Sequence, residues 1–130
     1  MGLDRISSYQ LVDYIYDMPT VMAAADLVIS RAGAMTLSEL AGMGKAAILI
    51  PSPNVTSNHQ YHNAKALSDV GAAVLVCEDA LSSGGLDESV EQLLGDPAAR
   101  MQLSEKIEQF ACRDANRMIW QDILELTKPR

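Results

Sequence analysis

Short unbroken apolar runs alternate along this chain with stretches whose apolar residues return every three or four positions. The first kind of run reads as a buried strand of a parallel sheet, the second as a helix with one apolar stripe. On this reading "LVDYIY" (11–16) is a strand and "DMPTVMAAA" (17–25) a helix, opened by Asp17 or Met18 with Pro19 in its first turn. "DLVIS" (26–30) is a second strand. "TLSELAGMG" (36–44) follows as a helix with Leu37, Leu40 and Ala41 on one face and Gly42 or Gly44 at its end, and Thr36 and Glu39 have the spacing of a capping box. "AAILIP" (46–51) is a third strand, stopped by Pro51 and Pro53. "HQYHNAKALSDVG" (59–71) is a helix closed by Gly71, with Ser57 and Gln60 spaced for another capping box. "AAVLVCE" (72–78) is a fourth strand and "ALSSGG" (80–85) a flexible loop.

Beyond residue 85 no strand-like run occurs. Leu86, Val90, Leu93 and Leu94 carry helical spacing. "GDP" restarts the chain, with Asp96 as cap and Pro97 at the first helical position. Leu103, Ile107, Phe110 and Ala111 give the next helix its apolar face. Ile119, Ile123 and Leu126, widened by Trp120 and Leu124, do the same for the last. Alternating strands and helices with right-handed crossovers make this an α/β chain, a Rossmann-like parallel sheet of about four strands with flanking helices and a helical C-terminal end. At 130 residues it has the size of one domain.

The remaining bulk properties mainly exclude. With 17 acidic against 10 basic residues and a formal net charge of −7, the chain lacks the basic balance of a general nucleic-acid or anionic-membrane surface. Any phosphate it binds is held locally. No run is long enough to span a bilayer and "MGLDRISSYQ" contains no secretory core, so a cytoplasmic setting is expected. Cys77 and Cys112 lie far apart and are expected to be reduced. The sequon at Asn54 lacks a secretory context and carries no weight.

Candidate chemistry gathers at the carboxyl edge of the expected sheet. In "SRAGAMTLSEL" (30–40) small residues lie between a strand and a helix start, where backbone N–H groups and the helix dipole favour an anion. An equally open reading makes Gly33 a turn residue and Glu39 a capping partner. In "NVTSNHQYHNA" (54–64) Asn58, His59, Gln60, His62 and Asn63 suit a neutral, hydroxyl-rich ligand such as a sugar, or serve as solvated helix caps. His59 and His62 stand three apart, but nothing with ligand character is placed to complete a metal site. No metal or cofactor is expected. Ser30 and Ser38 have no nucleophile elbow, and Asp13, Asp17 and Asp26 read as strand ends or caps.

The stretch from Tyr14 to Val76 closely resembles the MurG family, bacterial cell-wall N-acetylglucosaminyltransferases that move N-acetylglucosamine from UDP onto undecaprenyl-pyrophosphoryl-muramoyl-pentapeptide. The resemblance rests on an R-x-G-A-x-T-x-x-E element at Arg31–Glu39 and an N-x-Q-Y-x-N-A element at Asn58–Ala64, and runs from about Leu11 to the C-terminus. It implies a GT-B glycosyltransferase, with this segment as the later part of the C-terminal, donor-binding lobe. By resemblance, the backbone at Ile15, with Tyr14 beside it, meets the uracil. Gly33, Ala34, Met35 and Thr36 form the turn and helix start at the diphosphate, and Glu39 takes the ribose hydroxyls. His59 and Gln60 face the sugar hydroxyls, with Asn58 and Asn63 in the same element. Arg31 supports the diphosphate charge or anchors the turn, the second role being the expectation. Ala32 stands where some relatives have serine and His59 where some have glutamine.

The family's acceptor-binding lobe and the residues that assist acceptor deprotonation precede the matching segment, so no catalytic residue is assigned here. The resemblance implies UDP-N-acetylglucosamine or UDP as ligand, an acceptor lobe as partner, an inverting transfer with UDP as leaving group, and no activity from this chain alone. It also implies an indirect membrane association, on the inner face of the plasma membrane. Residues 1–10 fit the pattern less well and read as a leader outside the family, native or added. Two alternatives stand beside this reading. One is the donor-binding subunit of a split glycosyltransferase, as in the two-chain enzyme of early asparagine-linked glycan assembly. The other is an α/β module without ligand that self-associates through an open sheet edge.

Overall fold

The computed structural model describes residues 9–54, 58–112 and 115–127. Ser57, most of the leader and the sequon positions Val55 and Thr56 lie outside these residues. The elements run α1 (Met18–Ala24), β1 (Val28–Ser30), α2 (Ala34–Met43), β2 (Ala47–Leu49), α3 (His59–Asp69), β3 (Val74–Leu75), a single 3-10 turn (Glu78–Ala80), α4 (Gly85–Gly95), α5 (Pro97–Glu108) and α6 (Ala115–Leu126). The strands form one parallel sheet in the order β1-β2-β3, with Ile29 opposite Ile48 and Leu49 opposite Leu75.

The central strand explains the layering. Along β2 the side chains alternate between faces. Ala47 and Leu49 enter a core with Met22 of α1, Leu40 and Ala41 of α2, Ala64 and Leu67 of α3, and Ile107 of α5. Ile48, with Ile50 just beyond the strand, enters the opposite core with Val76, Leu93 of α4 and Leu103 of α5. Burial on both faces is why "AAILI" reads as continuously apolar. Alanines 32, 41, 47, 64, 72 and 73 are all buried in the first core, and their small side chains let α2 and α3 lie close against the sheet.

Local chemistry sets the element ends. Asp17 caps α1, its Oδ1 accepting from Thr20 N at 3.3 Å, and Lys45 Nζ donates to the Ala23 and Ala25 carbonyls at the other end. Gly44 (φ 58°) and Gly71 (φ 70°) end α2 and α3 in the left-handed region, which glycine enters without a Cβ penalty. Asp96 caps α5 through Ala99 N at 3.0 Å, with Pro97 opening the helix.

Several expectations are corrected. The segment 11–16 forms no strand: among the described residues nothing pairs with it, and Leu11 and Tyr16 are 86% and 93% exposed. The sheet therefore has three strands rather than four, and the β1 edge opposite β2 is unpaired among the described residues. The Thr36–Glu39 capping box is not formed, because α2 begins two residues earlier with Gly33 as its cap and both residues fall inside the helix. The box expected between Ser57 and Gln60 falls on Ser57, outside the described residues. Gln60 Oε1 accepts from Ser52 N at 2.9 Å, and the residue before α3 is Asn58. The loop read over 80–85 is a series of turns that begins with the 3-10 turn and ends at Gly84, in the left-handed region. Leu94 faces solvent, and Phe110 is exposed because α5 stops at Glu108. The apolar stripe of α6 is likewise exposed, Trp120 included.

Candidate functional site

The β1–α2 turn, Arg31–Gly33, leaves the carboxyl end of β1 and delivers the chain into α2. Gly33 lies at φ −69°, ψ 147°, an extended conformation open to any residue, and an added Cβ meets no atom within 4 Å. The turn therefore does not require glycine. What glycine provides is open space directly before the first turn of α2. That turn has no side-chain cap, so its leading N–H groups and the positive end of the helix dipole are directed at whatever occupies the space.

Beside this helix start lies a cleft of about 430 Å³ that brings together Ile15, Ser30, Thr36 and Glu39, with an apolar wall that includes Met18, Val21 and Met22. It joins an apolar surface suited to a flat ring with a carboxylate able to accept two hydroxyl donors. Ile15, which the family resemblance implicates, thus shares one cleft with Thr36 and Glu39, more than twenty residues further along the chain. Tyr14 lines a neighbouring depression with Ile15, Tyr16 and Val21, and its ring meets that of Tyr16 edge-on, with centroids 5.0 Å apart.

Arg31 braces the sheet edge. Its NH1 donates to the Ile50 carbonyl at 3.3 Å, beyond the end of β2, and its NH2 pairs with Glu78 Oε1 at 2.7 Å, beyond the end of β3. The two contacts tie the turn to the carboxyl ends of β2 and β3. Ala34 and Met35 are exposed on the first turn of α2. On the second element His59 opens α3 and is exposed, and Gln60 ties that helix to Ser52. Asn63 donates from Nδ2 to the Ala32 carbonyl at 3.2 Å, linking α3 to the β1–α2 turn. Asn58, the one non-glycine residue at positive φ among those described (54°), lines a separate cleft of about 440 Å³ with Pro51, Tyr61, Cys77 and Glu78.

The brace residues Glu78 and Ser52 were not singled out by sequence. Glu78 follows an apolar run on the same carboxyl edge, and that was the available signal. Among the described residues no three His, Cys, Asp or Glu side chains come together as a metal site, and Cys77 and Cys112 are free thiols. No helix of the described residues is long and apolar enough to cross a membrane.

Residues 3–118 match the family model of the glycosyltransferase family 28 C-terminal domain. The chain belongs to this family. Two relatives are each named UDP-N-acetylglucosamine--N-acetylmuramyl-(pentapeptide) pyrophosphoryl-undecaprenol N-acetylglucosamine transferase. That of Acetivibrio thermocellus is 43% identical over 128 residues, 98% of this chain and 35% of the relative. That of Caldicellulosiruptor saccharolyticus is 44% identical over 113 residues, 87% of this chain and 30% of the relative. The crystal structure of Acinetobacter baumannii MurG superposes with a TM-score of 0.81 at 32% identity, covering 89% of this chain and 35% of that one. The family 28 domain thus spans about a third of the length of these relatives.

Proposed function

We propose that this family 28 domain binds UDP-N-acetylglucosamine and is the donor-binding part of an inverting N-acetylglucosaminyltransferase of peptidoglycan synthesis. The acceptor is the lipid-linked muramoyl-pentapeptide, bound by a complementary lobe at the cytoplasmic face of the membrane. The reading is supported above all by the cleft that joins Ile15, Thr36 and Glu39 beside an uncapped helix N-terminus fronted by Gly33. Uracil lies against Ile15 and Tyr14, and the ribose hydroxyls donate to Glu39. The diphosphate accepts from the N–H groups at the start of α2, and the sugar extends toward His59 and Gln60 on α3.

In the transfer, negative charge grows on the departing UDP as the bond from its β-phosphate oxygen to the anomeric carbon breaks. The fixed N–H groups and dipole of α2 stabilise that charge without reorganising. Arg31 contributes indirectly, by holding the turn. No residue of this chain is assigned to remove the acceptor proton, so the chain alone is expected to show no turnover.

The test is an amide NMR titration of the labelled chain with UDP and UDP-N-acetylglucosamine, repeated on Glu39→Ala. Shifts concentrated at Ile15, Gly33–Glu39 and His59–Gln60, and weakened by the substitution, are expected. A folded chain whose spectrum ignores both ligands would overturn the reading. A second reading, self-association through the open β1 edge, is favoured by the half-exposed Ile29 on that strand, whose outer edge is unpaired among the described residues. Sedimentation at several protein concentrations distinguishes it: a monomer throughout removes it.

A further inference from the structure

The Asn63 side chain lies 31 residues from Ala32 in sequence, yet its amide nitrogen sits on the Ala32 carbonyl. Because a carbonyl only accepts, the orientation of the amide is fixed: Nδ2 faces Ala32 and Oδ1 faces away. Ala32 is fully buried and immediately precedes Gly33, the cap of α2. In a trans peptide the C=O of one residue and the N–H of the next point in opposite directions. Fixing the Ala32 carbonyl toward α3 therefore aims the Gly33 N–H away from α3. Among the described residues no acceptor meets that N–H.

We propose that Asn63 is a positioning residue: by holding the Ala32 carbonyl it aims the Gly33 N–H, and with it the leading N–H groups of α2, at the diphosphate. The inference rests on the donor-site reading above but assigns Asn63 a different role from direct sugar contact. It requires a donor at this position. A carboxylate of the same shape would put oxygen against oxygen, and regains a donor only when protonated.

The experiment compares Asn63→Asp and Asn63→Ala with the native chain for UDP affinity between pH 8 and pH 5.5, each at a temperature where all three are folded. UDP changes its own protonation over this range, so each variant is read as a ratio to the native chain at the same pH. Both variants are expected to bind UDP about tenfold more weakly at pH 8, the equivalent of one misdirected hydrogen bond to a charged group. The Asn63→Asp ratio then returns toward one as the pH falls, while the Asn63→Ala ratio stays flat. Native affinity in Asn63→Ala, or a flat ratio in Asn63→Asp, would overturn the proposal. A merely structural asparagine would lower the melting temperature and leave the UDP ratio near one throughout.

If the native chain binds no UDP, the donor-site reading fails and the ligand-free spectra still decide this inference. Titrating the introduced carboxyl of Asn63→Asp must then move the Gly33 and Ala34 amide resonances. Unmoved resonances would refute the coupling.

Discussion

Replacing Gly33 by alanine separates two reasons for having glycine before α2. If glycine serves the turn, the substitution strains the backbone; if it serves a ligand, the fold accepts the methyl and the ligand does not. Gly33 has φ −69° and ψ 147°, and a Cβ there meets nothing within 4 Å, so no clash or positive-φ penalty arises. Alanine narrows the unfolded ensemble, which favours the native state by roughly 0.4–1 kcal/mol. It is also a poorer N-cap than glycine, by about 0.5–1 kcal/mol. The two effects offset, and the stability change is expected to lie within about 0.5 kcal/mol of zero.

The same methyl fills space at the uncapped helix start and pushes a phosphate away from the N–H groups of α2. Losing one hydrogen bond to a charged group costs about 1.5–3 kcal/mol, or roughly 10- to 100-fold in affinity for UDP. Thermal unfolding by circular dichroism and a UDP titration by calorimetry read the two quantities on the same sample. Native UDP affinity in a stable Gly33→Ala chain would refute the argument, since the ligand then does not approach this backbone. A large fall in melting temperature would refute it from the other side and make Gly33 a turn residue.

Three further outcomes are expected. Asp96→Ala removes the carboxylate that accepts from Ala99 N and is expected to destabilise the chain by about 1 kcal/mol in urea unfolding; an unchanged midpoint would mean that Pro97 alone sets the start of α5. Glu78→Gln weakens the partly exposed pair with Arg31 and is expected to cost less than about 1 kcal/mol, with the difference shrinking in high salt; a larger, salt-independent loss would make the brace a buried-type pair. The hydrogen bond from Lys65 to Asp69, reinforced by the carboxylate charge, holds the lysine pKa above its ordinary value. The stability this pair gives is present below the unfolded-state pKa and lost as the pH rises through the raised one, so Asp69→Asn is expected to lower the Lys65 midpoint in an NMR titration.

Helix positions were legible because their signals are local. Proline and aspartate open α1 and α5 where expected, and glycine closes α2 and α3. Strands were less so, because a strand exists only by pairing. "LVDYIY" has strand-like composition as much as "DLVIS" does, but only Val28–Ser30 finds a neighbour, in β2. The apolar stripe of α6 was read correctly as a helix, yet spacing cannot say whether any surface covers it, and among the described residues it lies exposed. Phe110 shows the reverse error, since a helical period extended past the point where α5 ends.

At the site, the residues that face open space were easier to find than those that hold them in place. Gly33, Thr36 and Glu39 form one short element, and their types carry a chemical meaning that survives without coordinates. The contacts that orient them join distant positions: Arg31 with Glu78, Ala32 with Asn63, Ser52 with Gln60. None has a spacing to recognise, because each depends on which loops the sheet brings to its carboxyl edge. The same contacts sort the amides of α3. Gln60 turns its oxygen to the Ser52 N–H, while Asn63 turns its nitrogen to the Ala32 carbonyl. The two amides of α3 are thus fixed in opposite senses, Gln60 by its oxygen and Asn63 by its nitrogen, a polarity that the residue types alone leave undetermined.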